Sequence, residues 1–298
     1  MPELPDITVY VERLGALLVG ATLETLRLCN PFFLRTVTPP WQSAQGRRVA
    51  AVTRLGKRIA LTLEPELHLV VHLMKLGRLK WDTRRKSPGL KLLHATLAFD
   101  RGALHVIEIG PKKRASLHVV ADAAALAAMR PDGIEPLECS LAAFSEAVHR
   151  ENHTLKRVLT DQRIIAGIGN AYSDEILHAA RLSPVSLSQK LDAEATARLW
   201  QATRETLQRW TEQLRRETGE GFPEHVTAFR EGMAVHGRHK QPCPVCGTAV
   251  ERIVYADRET NYCARCQTGG RRLADRALSR LLGEDWPRTL EELEERRR

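Results

Sequence analysis

Four of the six cysteines stand as two close pairs, Cys243/Cys246 and Cys263/Cys266, separated by a sixteen-residue stretch. Two CxxC knuckles at that interval can turn four thiolates toward one tetrahedral Zn2+, and four thiolates leave that metal no open position, so it would be structural, one per chain. Paired cysteines also form disulfides and redox sites. The N-terminal MPELPD, however, carries acids where a secretory signal is basic, and no long apolar run follows. That points to a reducing cytoplasm, where such cysteines bind metal. Between the pairs, Val250–Tyr255 and Thr260–Cys263 read as strands around Ala256-Asp257-Arg258-Glu259, which sets Arg258 at a hairpin tip. A guanidinium there can make bidentate contact with phosphate; the plain alternative is an exposed arginine paired with Asp257 or Glu259.

At the other end Pro2 follows Met1, and a small second residue favours removal of the initiator methionine. Proline would then present a secondary amine able to form an iminium ion at a sugar C1′, with an appreciable neutral fraction near pH 7. Glu3 beside it could supply or accept a proton. Prolines at position two are common, so the pair has weight only in company. A third candidate is Ala166-Gly167-Ile168-Gly169-Asn170-Ala171-Tyr172, a glycine-rich turn leading into a helix. Asn170 can cap that helix while neighbouring N–H groups face a phosphate, although glycines between helices also simply turn the chain.

These residues need a scaffold, and 298 residues exceed what one core organises, so two domains plus a small module are expected. A chain 43% hydrophobic and 27% charged is neither disordered nor membrane-spanning. The net charge of +9 suits a polyanionic partner, and Lys57-Arg58, Arg84-Arg85-Lys86, Lys112-Lys113-Arg114 and Arg271-Arg272 are local basic clusters. Periodicity predicts a helix over Ile7–Leu18, then strands over 23–28, 48–54, 58–63, 67–73, 92–99, 103–109 and 116–120, as in a sandwich or barrel. Helical patterns follow over 121–129, 141–150, 154–166, 171–180 and 193–215. Gly219-Glu220-Gly221-Phe222-Pro223 marks a joint, and the charged tail 290–298 reads as a solvated helix end.

Taken together, MPELPD, RLGKRI around Lys57, GIGNAYSDEIL and a four-cysteine ribbon ending in CQ resemble the bacterial formamidopyrimidine-DNA glycosylase/endonuclease VIII family of bifunctional base-excision repair enzymes. The resemblance implies an α+β fold: an N-terminal helix and β-sandwich catalytic domain (1–135), a helix-two-turn-helix DNA-binding domain (136–225), a zinc ribbon (226–268) and a C-terminal extension without assigned role (269–298). It implies that Pro2 displaces the damaged base and forms a Schiff base, that Glu3 is the acid/base group, and that Lys57 contacts phosphate and assists proton transfer. Lys156 in TLKRVL, Asn170 and Tyr172 in GIGNAY, and Arg258 are the implied DNA contacts. The implied partner is damaged double-stranded DNA, met in the cytoplasm by a monomer without membrane attachment and held at the nucleoid when bound. The implied reaction is base removal followed by β,δ-elimination, the lesion being rotated out of the duplex first. A non-catalytic binder of damaged or abasic DNA on the same scaffold is the alternative.

The resemblance breaks at the residues that fill the void left by the flipped base. Formamidopyrimidine-type members use a Met in an HLGMSG-like turn and an Arg and a Phe in a DPRRFG-like loop. Here the stretches read His72-Leu73-Met74-Lys75-Leu76-Gly77 and Gly110-Pro111-Lys112-Lys113-Arg114-Ala115. Lys75, Lys112 and Arg114 therefore replace the usual wedge, with Met74 or Leu76 expected to insert and Arg114 to stack on a base. The compact stretch 219–229 leaves little room for a loop capping 8-oxoguanine, which predicts weak action on that lesion. Asp6 stands where the family generally has Glu.

Overall fold

Alternation of apolar and polar residues gives the N-terminal part of the chain its strands. The computed structural model describes residues 1–84, 89, 91–224, 226, 229–255, 258–274 and 287–295. Internal contacts divide the chain into two units: Met1–Pro131 with Arg209–Ala228, and Asp132–Gln208 with Phe229–Arg298.

The first unit begins with α1 (Leu4–Leu18), whose Leu4, Ile7, Leu14 and Leu18 are fully buried. Eight antiparallel strands follow: β1 (Thr22–Leu28), β2 (Arg47–Leu55), β3 (Arg58–Leu63), β4 (Leu67–His72), β5 (Gly77–Asp82), β6 (Leu93–Phe99), β7 (Gly102–Glu108) and β8 (Ser116–Val120). Their order is β5-β7-β6-β1-β2-β3-β4-β8, and β1 meets β2 only at Thr22↔Arg48 and Leu23↔Arg47. That short hinge lets two four-stranded halves share one core, with Leu23, Leu79, Leu97 and Val106 from one half and Val49, Leu61, Leu69 and Leu117 from the other. The outer face of β3 and β4 is buried as well: Leu55, Ala60, Val70 and Val120 pack beneath Leu126 and Met129, around the short helix α2 (Ala123–Ala127). These strands accordingly read as near-continuous apolar runs. Val226 and Phe222 return to the same core, and the carbonyls of Glu220 and Gly221 accept from the guanidinium of Arg13.

The second unit carries α3 (Leu141–His149), α4 (Leu155–Thr160), α5 (Asn170–Ala179) and the first part of α6 (Ala193–Thr218), then the hairpin of β9 (Val250–Tyr255) and β10 (Arg258–Cys263) with α7 (Ala264–Thr268). The periodicity predicts α4 continuing to Ala166, but it stops at Thr160. Asp161 takes an extended backbone, and its carboxylate accepts from the Arg163 N–H at 3.0 Å. Gln162 then ties the connection together, accepting from Gly167 N at 2.9 Å and donating to Ile168 O at 2.8 Å. Local side-chain hydrogen bonds thus outcompete the helical ladder.

Two other expectations are corrected. Helix α1 starts three residues before Ile7, because Pro5 in a first turn forfeits no hydrogen bond and the Asp6 carboxylate accepts from the backbone N–H of the N-cap residue Glu3. Strand β5 is absent from the predicted strands, although Leu79 and Trp81 alternate with Arg78 and Lys80. The expected helix end forms over Leu290–Glu295 with Glu291, Glu292 and Glu295 exposed; Leu290 packs with Leu273, 7% exposed, against Tyr262, while Arg272 pairs with Glu251 at 3.1 Å. Residues 275–286 and 296–298 lie outside the described residues.

The Gly56-Lys57 turn between β2 and β3 has Gly56 at φ +57°, and a Cβ there would lie 2.8 Å from Pro131 Cγ. Gly56→Ala should cost about 1–3 kcal/mol in urea unfolding, since it combines left-handed strain with a clash against a ring.

Candidate active site and nucleic-acid interface

Pro2 and Glu3 are both buried at the start of α1. Glu3 is the N-cap residue, and its backbone N–H donates to Asp6 Oδ2 at 2.8 Å. The shorter acid therefore still closes the reciprocal cap expected of a residue three positions on. The Met1 amino group has its pKa lowered, chiefly by burial; Glu3 opposes that, Arg78 and Lys57 reinforce it, and Asp6 also opposes. Lys57 is 8% exposed, held at the turn between β2 and β3. Glu3 and Lys57 thus both act electrostatically on the Met1 amine, which Pro2 follows in the chain. Asp6 and Arg78 join them; Arg78 escaped sequence reading because its strand did.

His72 closes β4 opposite Arg58 and is half-buried. Burial, then Arg58, Lys57 and His118, push its pKa down to about 4. Beyond it Met74 takes φ +52°, a left-handed conformation rare for a non-glycine residue, and Lys75 is exposed. Lys112 and Arg114 are exposed on the loop between β7 and β8. The backbone of that loop is fixed from inside: buried Glu108 accepts from Arg114 N at 2.8 Å, from Ala115 N at 3.0 Å and from His94 Nε2 at 2.9 Å.

In the second unit α5 carries a polar face directed at the cysteine-bearing segment. Asn170 is the first helical residue rather than the expected cap, which is Gly169, and its side chain donates to Glu259 O at 2.9 Å. One turn on, Asp174 is 1% exposed and accepts from Lys156 Nζ at 2.5 Å and His236 Nδ1 at 2.7 Å. Glu175 accepts three successive backbone N–H groups, Ala234 at 2.7 Å and Val235 and His236 at 2.9 Å. Another turn on, His178 Nε2 lies 3.3 Å from Cys243 Sγ. Sequence reading missed Asp174, Glu175, His178 and His236. The spacing of 170, 174 and 178 was the available signal, three polar residues on one helix face.

Lys156 also donates to Asn170 O at 2.7 Å, so two of its three N–H donors are taken. Tyr172 is 2% exposed, inside its unit. Arg258 opens β10 opposite Tyr255, next to the tip; tip residues 256 and 257 lie outside the described residues.

The donor atoms of Cys243, Cys246, Cys263 and Cys266 all lie within 4.8 Å of one another. Zn–S bonds of about 2.3 Å in a tetrahedron require S···S edges of about 3.8 Å. Cys243–Cys266 at 3.9 Å and Cys246–Cys263 at 3.4 Å bracket that value. The four thiolates bind one structural Zn2+, and His178 supplies the outer hydrogen bond that holds a ligand in orientation.

Three family models match the chain: Formamidopyrimidine-DNA glycosylase N-terminal domain over residues 1–113, Formamidopyrimidine-DNA glycosylase H2TH domain over 133–218, and Zinc finger found in FPG and IleRS over 240–269. The formamidopyrimidine-DNA glycosylase of Thermus thermophilus is 34% identical over 285 residues, covering 91% of this chain and 100% of that protein. A crystal structure from the same organism aligns with TM-score 0.75 at 32% identity, covering 89% of this chain and 98% of that one. The Lactococcus lactis enzyme in complex with abasic-site DNA aligns with TM-score 0.80 at 23% identity, over 89% of this chain and 99% of that one, a likeness of fold.

Two measurements check this reading. Asp174→Ala leaves Lys156 and His236 facing an emptied interior and should destabilise the zinc-loaded protein by about 3–5 kcal/mol in thermal unfolding. The folded pKa of His72 lies below its unfolded value, so the residue is neutral in both states above about pH 6.5, and below that only the unfolded chain takes the proton. Stability should fall from about pH 6.5 to about pH 4, and His72→Gln should flatten that fall by on the order of 1–2 kcal/mol.

Proposed function

Because the chain belongs to the formamidopyrimidine-DNA glycosylase family, we propose that it excises damaged bases from duplex DNA and cuts the resulting abasic site through a Schiff base on Pro2. The observation that supports this reading is the burial of Pro2 and Glu3 at the head of α1, beside a Met1 amine whose pKa desolvation lowers. With Met1 attached the Pro2 nitrogen is an amide; its removal leaves a secondary amine at that position. Its lone pair attacks C1′, the N–C1′ bond forms, and the base leaves with the electrons of the glycosidic bond. Glu3 exchanges a proton as the sugar ring opens. The resulting iminium acidifies C2′–H, which permits β- and then δ-elimination. Zinc takes no part in these steps, since four thiolates close its coordination.

Lys57, Lys75, Lys112 and Arg114 on the first unit, and Asn170, Arg258 and the remaining donor of Lys156 on the second, are the assigned DNA contacts; Tyr172, expected among them, is only 2% exposed. The exposed cations suit phosphate, which fixes register without reading sequence. The enzyme acts as a monomer in the bacterial cytoplasm, at the nucleoid when bound. No helix among the described residues is long and apolar enough to cross a membrane.

Borohydride trapping on a lesion-bearing duplex tests the mechanism. Wild type should form a covalent adduct whose mass lacks Met1, Pro2→Gly should form none, and Glu3→Gln should slow single-turnover base release by about 10²–10⁴-fold. Trapping that survives Pro2→Gly, or full activity in protein retaining Met1, would sink the Schiff-base reading. In the same assay ring-opened purines, oxidised pyrimidines and abasic sites should react faster than 8-oxoguanine.

A further inference from the structure

Phe32 is 80% exposed, and among the described residues of its unit it is the one aromatic side chain left facing water. Such a ring on a floppy loop would mean little; this one has a rigid mount. Pro31–Phe33 form a single 3₁₀ turn capped by Asn30, whose Oδ1 accepts from Phe32 N at 3.1 Å. Phe33, fully buried, stacks on the His94 ring at 5.0 Å and 22°. Asn30 Nδ2 donates to His94 Nδ1 at 3.1 Å, leaving the Nε2–H of His94 to donate to Glu108. The following chain is pinned by Arg35 N donating to Leu117 O at 2.9 Å.

The Glu108 carboxylate that receives His94 also holds the backbone N–H groups of Arg114 and Ala115. Phe32 and the cationic loop therefore hang from one buried polar network, Asn30–His94–Glu108. Exposed Arg35 adds a further positive charge beside the turn. A planar apolar ring on a rigid turn that shares its anchor with a cationic loop has the chemistry of a nucleobase-stacking platform: cations track phosphate and the ring replaces a lost stacking neighbour.

Resting on the function proposed above, we propose that Phe32 stacks on a nucleobase of the duplex unstacked by lesion eversion. Base rotation strips its neighbours of a stacking partner, and an aromatic face serves any base. The proposal commits to a base of damaged duplex DNA as the occupant of this patch.

The test uses full-length, zinc-loaded protein and a duplex containing tetrahydrofuran as an abasic analogue, with 2-aminopurine adjacent to it, against an undamaged duplex. Phe32→Ala and Phe32→Leu should weaken binding of the damaged duplex by roughly tenfold or more and alter 2-aminopurine emission, while binding of the undamaged duplex stays within about twofold. Phe32→Trp should restore both affinity and emission, and its own fluorescence should be quenched on the damaged duplex. Leucine serving as well as phenylalanine would overturn stacking, as would equal losses on both duplexes or no loss in any variant. A hydrophobic protein partner for the patch would show itself as that last result. Were wild type itself to bind the two duplexes alike and trap no adduct, the function proposed above would fail and this inference would fall with it; discrimination by wild type with unaltered variants would overturn this inference alone.

Discussion

An amine attacks carbon only through an unprotonated lone pair, so a nucleophile made from a chain terminus gains from being kept out of water. Termini ordinarily fray, because nothing holds them. Here the first helix begins at once, its apolar side is buried from Leu4 onward, and Asp6 secures the residue before it. Desolvation is the largest influence lowering the pKa of the Met1 amine, and Arg78 and Lys57 act in the same direction. Glu3 and Asp6 pull the other way. The balance belongs to the whole shell of groups, and a helix, a hairpin turn and a strand from separate parts of the chain each supply part of it.

The second unit meets a different constraint. Two adjacent acids on α5 are withdrawn from water, which is unfavourable unless every oxygen is met. Asp174 is met by an ammonium and an imidazole, Glu175 by three consecutive amides. Those amides belong to residues 234–236, just ahead of the first zinc ligand, and His178 on the same helix reaches Cys243 itself. Helix and metal module are therefore joined by buried polar bonds whose directions are fixed, so the hairpin that begins β10 at Arg258 inherits its place from α5.

Chemistry-bearing residues were more legible in the sequence than the shells that hold them. Four cysteines at ribbon spacing announce themselves by type and interval, whereas Pro2-Glu3 and the Gly-Ile-Gly-Asn turn have weight only together with the other motifs. Strand boundaries fell within a residue or two because half-buried strands alternate. What stayed hidden depends on tertiary partners. Glu108 is one acid at a strand end until the fold sets His94 and the 114–115 amides around it. The end of α4 at Thr160 is set by Asp161 and Gln162 bonding to nearby backbone, a competition that apolar periodicity does not register. Strand β5 is masked by the basic cluster beside it, and with it Arg78.

The placement of charge has a further consequence. Among the described residues Glu3, Asp6, Glu108, Asp174 and Glu175 are each at most 4% exposed, whereas Lys57 is the one Lys or Arg buried to a comparable class. Acids are spent inward, on caps, loop amides and the metal module, while Arg35, Lys75, Lys112 and Arg114 face water. The surface that meets solvent is therefore more basic than the net charge of +9 conveys. A polyanion feels that surface, since interior carboxylates are neutralised locally by their own donors and contribute little field outside. The groups that order the interior thus also leave the exterior suited to phosphate, and because the cationic loop's backbone is anchored by one of those interior acids, its charges are held ready before any strand arrives.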